Sequence, residues 1–401
     1  METFECAFCA KTYPADPFHT FCPTCKEPLL VVASKKEKAV HFDRVHPLEI
    51  WQDFLPLSQV NHDLSLGEGN TPLIRLKNIE RNFRLPTLYA KNETVNPTFS
   101  FKDRGTAVAV QKAIALGIQK IGTVSTGNMA ASTAAYGAKA RLRTFVLVKE
   151  DTPEIKLRSI GLHRAVIVRV KGDYGELFRK SLDLAPRTGI YFMNSVDPFR
   201  IEGYKVTGLE IFRQIDRKVP DYLFVPVSAG GHLVGIIRAF QDLKRGGFIE
   251  NYPHFIGVQA AGCSPVAQAF AKGLQKVNRI TKAQTIAHAI SNPDPPAGNL
   301  LLQLIREIGG TVMSVPDDQI LEAQHLLAEY EGLFVQPASA TTLSGAMAFA
   351  KQHKLAPTSK SVLVLTGSGM KAPVPNGRPD ERILQADLSE LPSLIESVSR
   401  D

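Results

Sequence analysis

Nowhere does the chain string together the roughly 18 apolar residues that a membrane-crossing helix needs, so no membrane partner is expected. The opening Met1-Glu2-Thr3-Phe4-Glu5-Cys6 has neither a basic lead nor an apolar stretch behind it. No secretory signal is therefore expected, and the protein should be cytoplasmic. Blocks of five or six consecutive Lys/Arg are also missing, although the net charge is +8. A scattered basic balance suits anionic small ligands better than a nucleic-acid backbone. Cysteine is scarce: five in 401 residues cannot make a disulfide scaffold. Solenoid repeats and low-complexity tracts are absent too. What remains is ordinary globular composition, 44% hydrophobic and 21% charged, long enough for two or three domains.

Four of the five cysteines fall into Cys6-x-x-Cys9 and Cys22-x-x-Cys25. Two such knuckles meeting at one tetrahedral ion are the pattern of a Cys₄ zinc ribbon. Four thiolates leave no open position, so the zinc would be structural, and its binding would help fold a segment with little core. Ribbons often touch nucleic acid. Residues 1–50, however, carry six Lys/Arg against seven acids, which gives no grip on phosphate backbone. Cys263 stands alone and reads as a small inert residue. Lys35-Lys36-Glu37-Lys38 reads as a solvated linker, and residues 46–57 as a short helical arm.

From about residue 106 the pattern alternates. Helices are expected at 106–116, 129–140, 155–162, 174–184, 202–215, 233–243, 265–271, 297–308, 317–330 and 338–352. Strands are expected at 88–90, 120–124, 144–148, 165–170, 191–192, 222–227, 254–258, 311–315 and 361–365. Strands separated by helices predict an α/β fold with parallel sheets covered on both faces. A last helix is expected at 388–398.

Several loops after strands carry chemistry. Asn92 to Gly105 places Lys102 at a strand–loop–helix junction, with Ser100 positioned like an N-cap. By itself that lysine reads as a surface charge. Ser228-Ala229-Gly230-Gly231-His232 follows a strand and opens a helix; small residues there let N–H groups approach a phosphate. It is neither a Walker A loop nor a dinucleotide fingerprint. Ser125-Thr126-Gly127-Asn128 also follows a strand; Asn128 either caps the next helix or offers its amide to a ligand. Thr366 ends an apolar strand, as a turn residue or as a hydroxyl facing a ring nitrogen. Together, a lysine able to form a Schiff base, a phosphate cradle, an amide and a hydroxyl are what pyridoxal phosphate (PLP) requires.

At these residues the chain resembles the threonine synthases, which belong to the tryptophan synthase β-like, fold-type II PLP enzymes. Residues 96–105 (Asn-Pro-Thr-Phe-Ser-Phe-Lys-Asp-Arg-Gly), 125–128, 69–73, 335–340 and 365–371 carry the likeness, which runs from about Leu66 to Pro373. The resemblance implies two doubly wound parallel-sheet domains behind an N-terminal zinc ribbon. Its divisions are a ribbon at 1–34, a large PLP domain at 35–105 plus 204–386, a small mobile domain at 106–203 and a tail at 387–401. It implies that Lys102 holds PLP and shuttles protons. Asn128 would bond the ring's phenolic oxygen, Thr366 would face the pyridine nitrogen, and Ser228, Ala229, Gly230, Gly231 and His232 would hold the cofactor phosphate. Ser125, Lys156, Asn194, Ser195 and Arg200 match a second anion site, for the substrate's phosphate. The implied reaction turns O-phospho-L-homoserine and water into L-threonine and phosphate, in a homodimer.

Some wording departs from the family. The phosphate loop reads Ser-Ala-Gly-Gly-His where threonine synthases commonly show Gly-Asn-Ala-Gly-Asn. Leu365-Thr-Gly-Ser-Gly replaces the common Thr-Gly-His-Gly, and residues 288–296 are a variant of a substrate-side loop. Cysteate synthase, which uses phosphoserine and sulfite, would keep the same phosphate residues. A threonine/serine dehydratase would not need them. From another class, a zinc-ribbon binding protein with an inactive enzyme body would have little reason to keep Lys102.

Overall fold

The computed structural model describes residues 2–32, 38–353, 355–372 and 384–398, without the side chains of residues 155, 156, 392 and 393. Most of the linker expected at 35–38 therefore lies outside the described residues. Two compact units divide the chain, Met1–Lys371 and Ala372–Asp401. The second contains one described helix, Leu391–Val398, shorter at its start than the expected 388–398.

The N-terminal segment is a three-stranded antiparallel sheet of β1 (Thr3–Cys6), β2 (Thr12–Pro14) and β3 (Leu29–Val31), with β1 in the middle. The arm after it is more broken than the expected 46–57. It is one helical turn, α1 (Pro47–Ile50), and then a 3-10 turn, Gln52–Phe54. The His46 side chain, not a longer apolar face, starts that turn by accepting from the Leu48 N–H.

A six-stranded sheet forms the larger core. Its strands are β4 (Leu73–Arg75), β5 (Thr87–Asn92), β10 (Tyr222–Pro226), β11 (His254–Ala260), β12 (Thr311–Val315) and β13 (Lys360–Leu365), in the order β12-β11-β10-β13-β5-β4. Only β4 runs antiparallel. Its strands are near-continuous apolar runs because both faces are covered. Leu223, Val225, Val362 and Val364 join one core, with helices α7 (Pro198–Gln214) and α8 (Gly231–Arg245). Phe224, Leu363 and Leu365 point the other way, toward α11 (Asp317–Glu331) and α12 (Pro337–Gln352). Successive side chains on a strand alternate faces, so one run feeds two cores. Helix α2 (Lys77–Phe83), not anticipated from its polar sequence, ends at Arg84 in the left-handed region (φ 51°).

The second sheet is all parallel, in the order β8 (Val166–Val170), β7 (Arg143–Lys149), β6 (Lys120–Val124), β9 (Ile190–Phe192). Helices α4 (Asn128–Lys139) and α5 (Glu154–Gly161) cover one face through Ala130, Ala134, Leu157 and Ile160. Helix α6 (Tyr174–Thr188) covers the other through Leu177 and Ala185. Between the sheets runs α3 (Lys102–Ala115). Helices α9 (Pro265–Ala271) and α10 (Gly298–Glu307) complete the covering layers.

Candidate active site

Three motifs far apart in sequence leave the carboxyl ends of three neighbouring strands. β10, β13 and β5 lie side by side. Residues 228–232 follow β10, Thr366 follows β13, and the loop to Lys102 follows β5. Strand order changes direction here, since β11 and β12 extend from one side of β10 while β13 sits on the other. A crevice at such a switch point is where open α/β sheets bind ligands.

The loops are tied to each other before any ligand is considered. The Phe101 N–H donates to the Thr366 carbonyl (3.0 Å), and the Ser368 N–H to the Phe99 carbonyl (3.0 Å). Asp103 accepts from both the backbone N–H and the hydroxyl of Thr98, each at 2.6 Å. Phe99, a bulky residue, is held at φ 60° within this loop. Such strain persists only where surrounding bonds over-determine the backbone. Ser100 does not cap α3. The helix begins at Lys102 behind Phe101 without a side-chain cap, and the Ser100 hydroxyl is buried without a partner. The bridge from Ser100 to Gly367 has drawn it into the β13 loop instead.

Lys102 is half-buried, its amine 4.4 Å from the centre of the Phe101 ring and 5.7 Å from that of Tyr204. No carboxylate among the described residues pairs with it. Burial, and then repulsion by Arg200, lowers the amine to about 7. The next residue but one does the opposite. Arg104 is buried and binds Glu93 (2.8 Å) and Glu210 (2.7 Å), the latter also held by Lys91 (2.6 Å). Burial alone would raise the Glu210 carboxyl, but Arg104 and Lys91 outweigh it and hold it at about 2.

Two glycines explain how Arg200 reaches this place. A Cβ on Gly105 of α3 would lie 2.5 Å from Arg200 Cγ, and one on Gly203 of α7 would overlap the Arg104 carbonyl oxygen. The helices therefore touch backbone to backbone. That brings the Arg200 guanidinium to the Lys102 carbonyl (Nη1, 3.4 Å) and Thr133 (Nη2 to Oγ1, 3.1 Å), with Nε on the Met193 carbonyl (3.1 Å). Arg200 is fully buried, yet among the described residues no carboxylate pairs with its guanidinium.

The 228–232 loop reaches α8 through Gly230, at φ 94°, and no side chain caps that helix. Its first-turn N–H groups lack intrahelical partners and face anions favourably. A Cβ on Gly230 would meet the Ala297 carbonyl at 2.9 Å, and one on Gly231 the Ser195 carbonyl at 2.5 Å. The loop is thus a bare-backbone cradle that side chains would fill. Asn128 is the first residue of α4 rather than its cap; Gly127 takes that position, and the Asn128 amide meets Gln336 at 3.0 Å. Thr366 is buried, its hydroxyl 3.0 Å from that of Ser339. Gln336 and Ser339 belong to the 335–340 motif, and sequence reasoning gave them no role. An amine near neutrality, an uncapped glycine cradle and buried hydroxyls are a donor set that PLP fits.

On the other side of the cleft, Ser125 follows β6 and Asn194 and Ser195 follow β9, its neighbour in the second sheet. The Ser125 hydroxyl accepts from the Gly127 N–H (3.2 Å). Asn194 is already employed: it accepts from the Val124 N–H (2.9 Å) and donates to Ser181 (3.1 Å). The Lys156 side chain lies outside the described residues.

Away from the cleft, the Sγ atoms of Cys6, Cys9, Cys22 and Cys25 all lie within 4.8 Å of one another, with Cys9 and Cys22 3.8 Å apart. Zn–S bonds of about 2.3 Å in a tetrahedron put sulfurs about 3.8 Å apart, so the four thiols fit one zinc. The knuckle side docks on the body. Phe4 meets Phe199 edge-on at 5.2 Å, and Arg238 of α8 donates to the Val31 carbonyl (2.7 Å).

Comparison with known proteins agrees with this geometry. Residues 64–367 match the family model described as pyridoxal-phosphate dependent enzyme. A threonine synthase of Methanocaldococcus jannaschii is 36% identical over 92% of this chain and 93% of its own. One of Methanosarcina acetivorans is 32% identical over 93% of each. Among solved structures, threonine deaminase isoform 2 of Solanum lycopersicum overlays 91% of each chain with a TM-score of 0.66 at 20% identity, a likeness of fold.

Proposed function

The chain belongs to the pyridoxal-phosphate dependent enzymes and, within them, to the threonine synthases, and from that premise we propose that it converts O-phospho-L-homoserine and water into L-threonine and phosphate. PLP, when bound, supplies the electron sink that makes protons at Cα and Cβ removable and lets phosphate leave from Cγ. The rest is work for this chain's residues. Lys102, with an amine near 7, takes and returns those protons at neutral pH. Residues 228–232 hold the cofactor phosphate, while Asn128 and Thr366 orient the ring. A neutral hydroxyl partner at Thr366 suits elimination and hydration better than transamination.

The observation that carries the substrate assignment is Arg200, a buried guanidinium with no carboxylate among the described residues, beside the lysine. A buried cation needs a counter-charge, and a planar fork matches phosphate. Ser125, Lys156, Asn194 and Ser195 complete the proposed substrate site. The same reading has Cys6, Cys9, Cys22 and Cys25 hold a structural zinc, and residues 106–203 move as a small domain against 35–105 plus 204–386. It includes a cytoplasmic homodimer.

A paired assay tests it. Purified protein given PLP should develop a visible band that borohydride fixes on Lys102. It should then release phosphate from O-phosphohomoserine with stoichiometric threonine. Turnover of phosphoserine with sulfite instead would move the chain to the cysteate-forming reaction; no visible band would reject the reading.

A further inference from the structure

His232 is the second residue of α8 and the point where the phosphate loop departs from the family's asparagine. It is 7% exposed, and its Nδ1 is buried without a hydrogen-bond partner. The ring is fixed on all other sides. It lies on the Phe101 ring at 3.8 Å between centroids and 17° between planes, with Tyr204 edge-on at 5.4 Å. Its Nε2 is 3.4 Å from the Thr207 hydroxyl. Burial first, and then Lys102 and Arg104, push its pKa well below the usual value, so the ring is neutral. A neutral imidazole has one N–H and one acceptor nitrogen. With the Thr207 hydroxyl donating to Nε2, the proton stays on Nδ1, and a buried donor is left without an acceptor in the first turn of an uncapped helix.

We propose that His232 is a side-chain ligand of the cofactor phosphate, donating Nδ1–H to one of its oxygens beside the backbone N–H groups of the loop. This rests on the reading of the chain as a PLP enzyme. A phosphate monoester dianion is all acceptor, which is what a lone N–H and bare first-turn amides can jointly satisfy. A neutral donor also adds no positive charge next to Lys102, so the amine keeps its lowered value. The stack on Phe101 holds the ring in position and ties the phosphate site to the residue adjoining the lysine.

Two substitutions separate donation from stacking. His232→Asn keeps a donor and loses the ring; His232→Phe keeps the stack and loses the donor. Affinity for PLP is measured by absorbance titration of the apoproteins, and the ³¹P resonance of the bound cofactor is recorded. We expect His232→Asn to bind within about threefold of wild type. His232→Phe should bind about 10- to 100-fold more weakly, as for loss of a hydrogen bond to a charged group, with a shifted ³¹P resonance. Wild-type affinity in His232→Phe overturns the proposal, and so does equal weakening in both variants, since asparagine retains a donor. Wild-type protein that forms no visible band with PLP would instead reject the underlying reading.

Discussion

The cleft has two sites suited to anions, and they are made from opposite materials. The 228–232 loop offers backbone: glycines at φ 94° and against the Ser195 carbonyl, an uncapped helix and no charged side chain. The Arg200 site offers one full charge, buried and held through a carbonyl and a hydroxyl. Oriented amides are fixed and indifferent to pH, which suits a phosphate that stays. A guanidinium fork pulls harder on a dianion that arrives and must leave. The difference teaches which kind of change each site tolerates: the first is sensitive to shape, the second to charge.

The largest expected effect is at the backbone site. Gly230→Ala forces a methyl into the left-handed region and within 2.9 Å of the Ala297 carbonyl. Strain and overlap together cost about 2–4 kcal/mol, a fall of roughly 30- to 1,000-fold in cofactor affinity by absorbance titration. Full affinity would show that the loop does not hold the phosphate by its backbone. Next comes charge. Arg200→Met should raise KM for the phosphorylated substrate roughly 10- to 150-fold, about 1.5–3 kcal/mol, with the bound-cofactor spectrum unchanged. If the spectrum is lost as well, the two sites are one. The smallest effect sharpens the same contrast. In apoprotein the Lys102 amine is the reactive base above about 7 and a protonated ammonium below it. Removing Arg200 removes repulsion but not burial, so the labelling midpoint of Lys102 should move to higher pH without returning to that of a solvated lysine. No movement would mean that burial alone sets it.

Much of this was legible in the chain. The strands ending at 227 and 365 announced themselves as apolar runs, because a sheet buried on both faces needs no alternation. Lys102, the 228–232 loop and the four cysteines were found from spacing and neighbours. What stayed hidden depends on contacts between distant segments. Ser100 looks like a cap and is instead drawn to Gly367; Asn128 looks like a cap and turns its amide to Gln336. The glycine contact that carries Arg200 to the lysine joins residues 105 and 203, and no local pattern marks it. His232 was visible only as an odd residue. Its orphaned nitrogen needed Phe101 and Thr207 in place.

The docking of the ribbon also has a timetable. Val31 and its partner Arg238 are 207 residues apart, and Ala7 and its partner Gln303 are 296 apart. At synthesis rates of about 5–20 residues per second, the ribbon leaves the ribosome roughly 10–60 s before those partners exist. Its own interior cannot wait that long unprotected, because β1 to β3 bury much of their apolar side against helices not yet made. Four thiols closed on an ion would let the first segment made stand as a finished part until the last segments arrive to receive it.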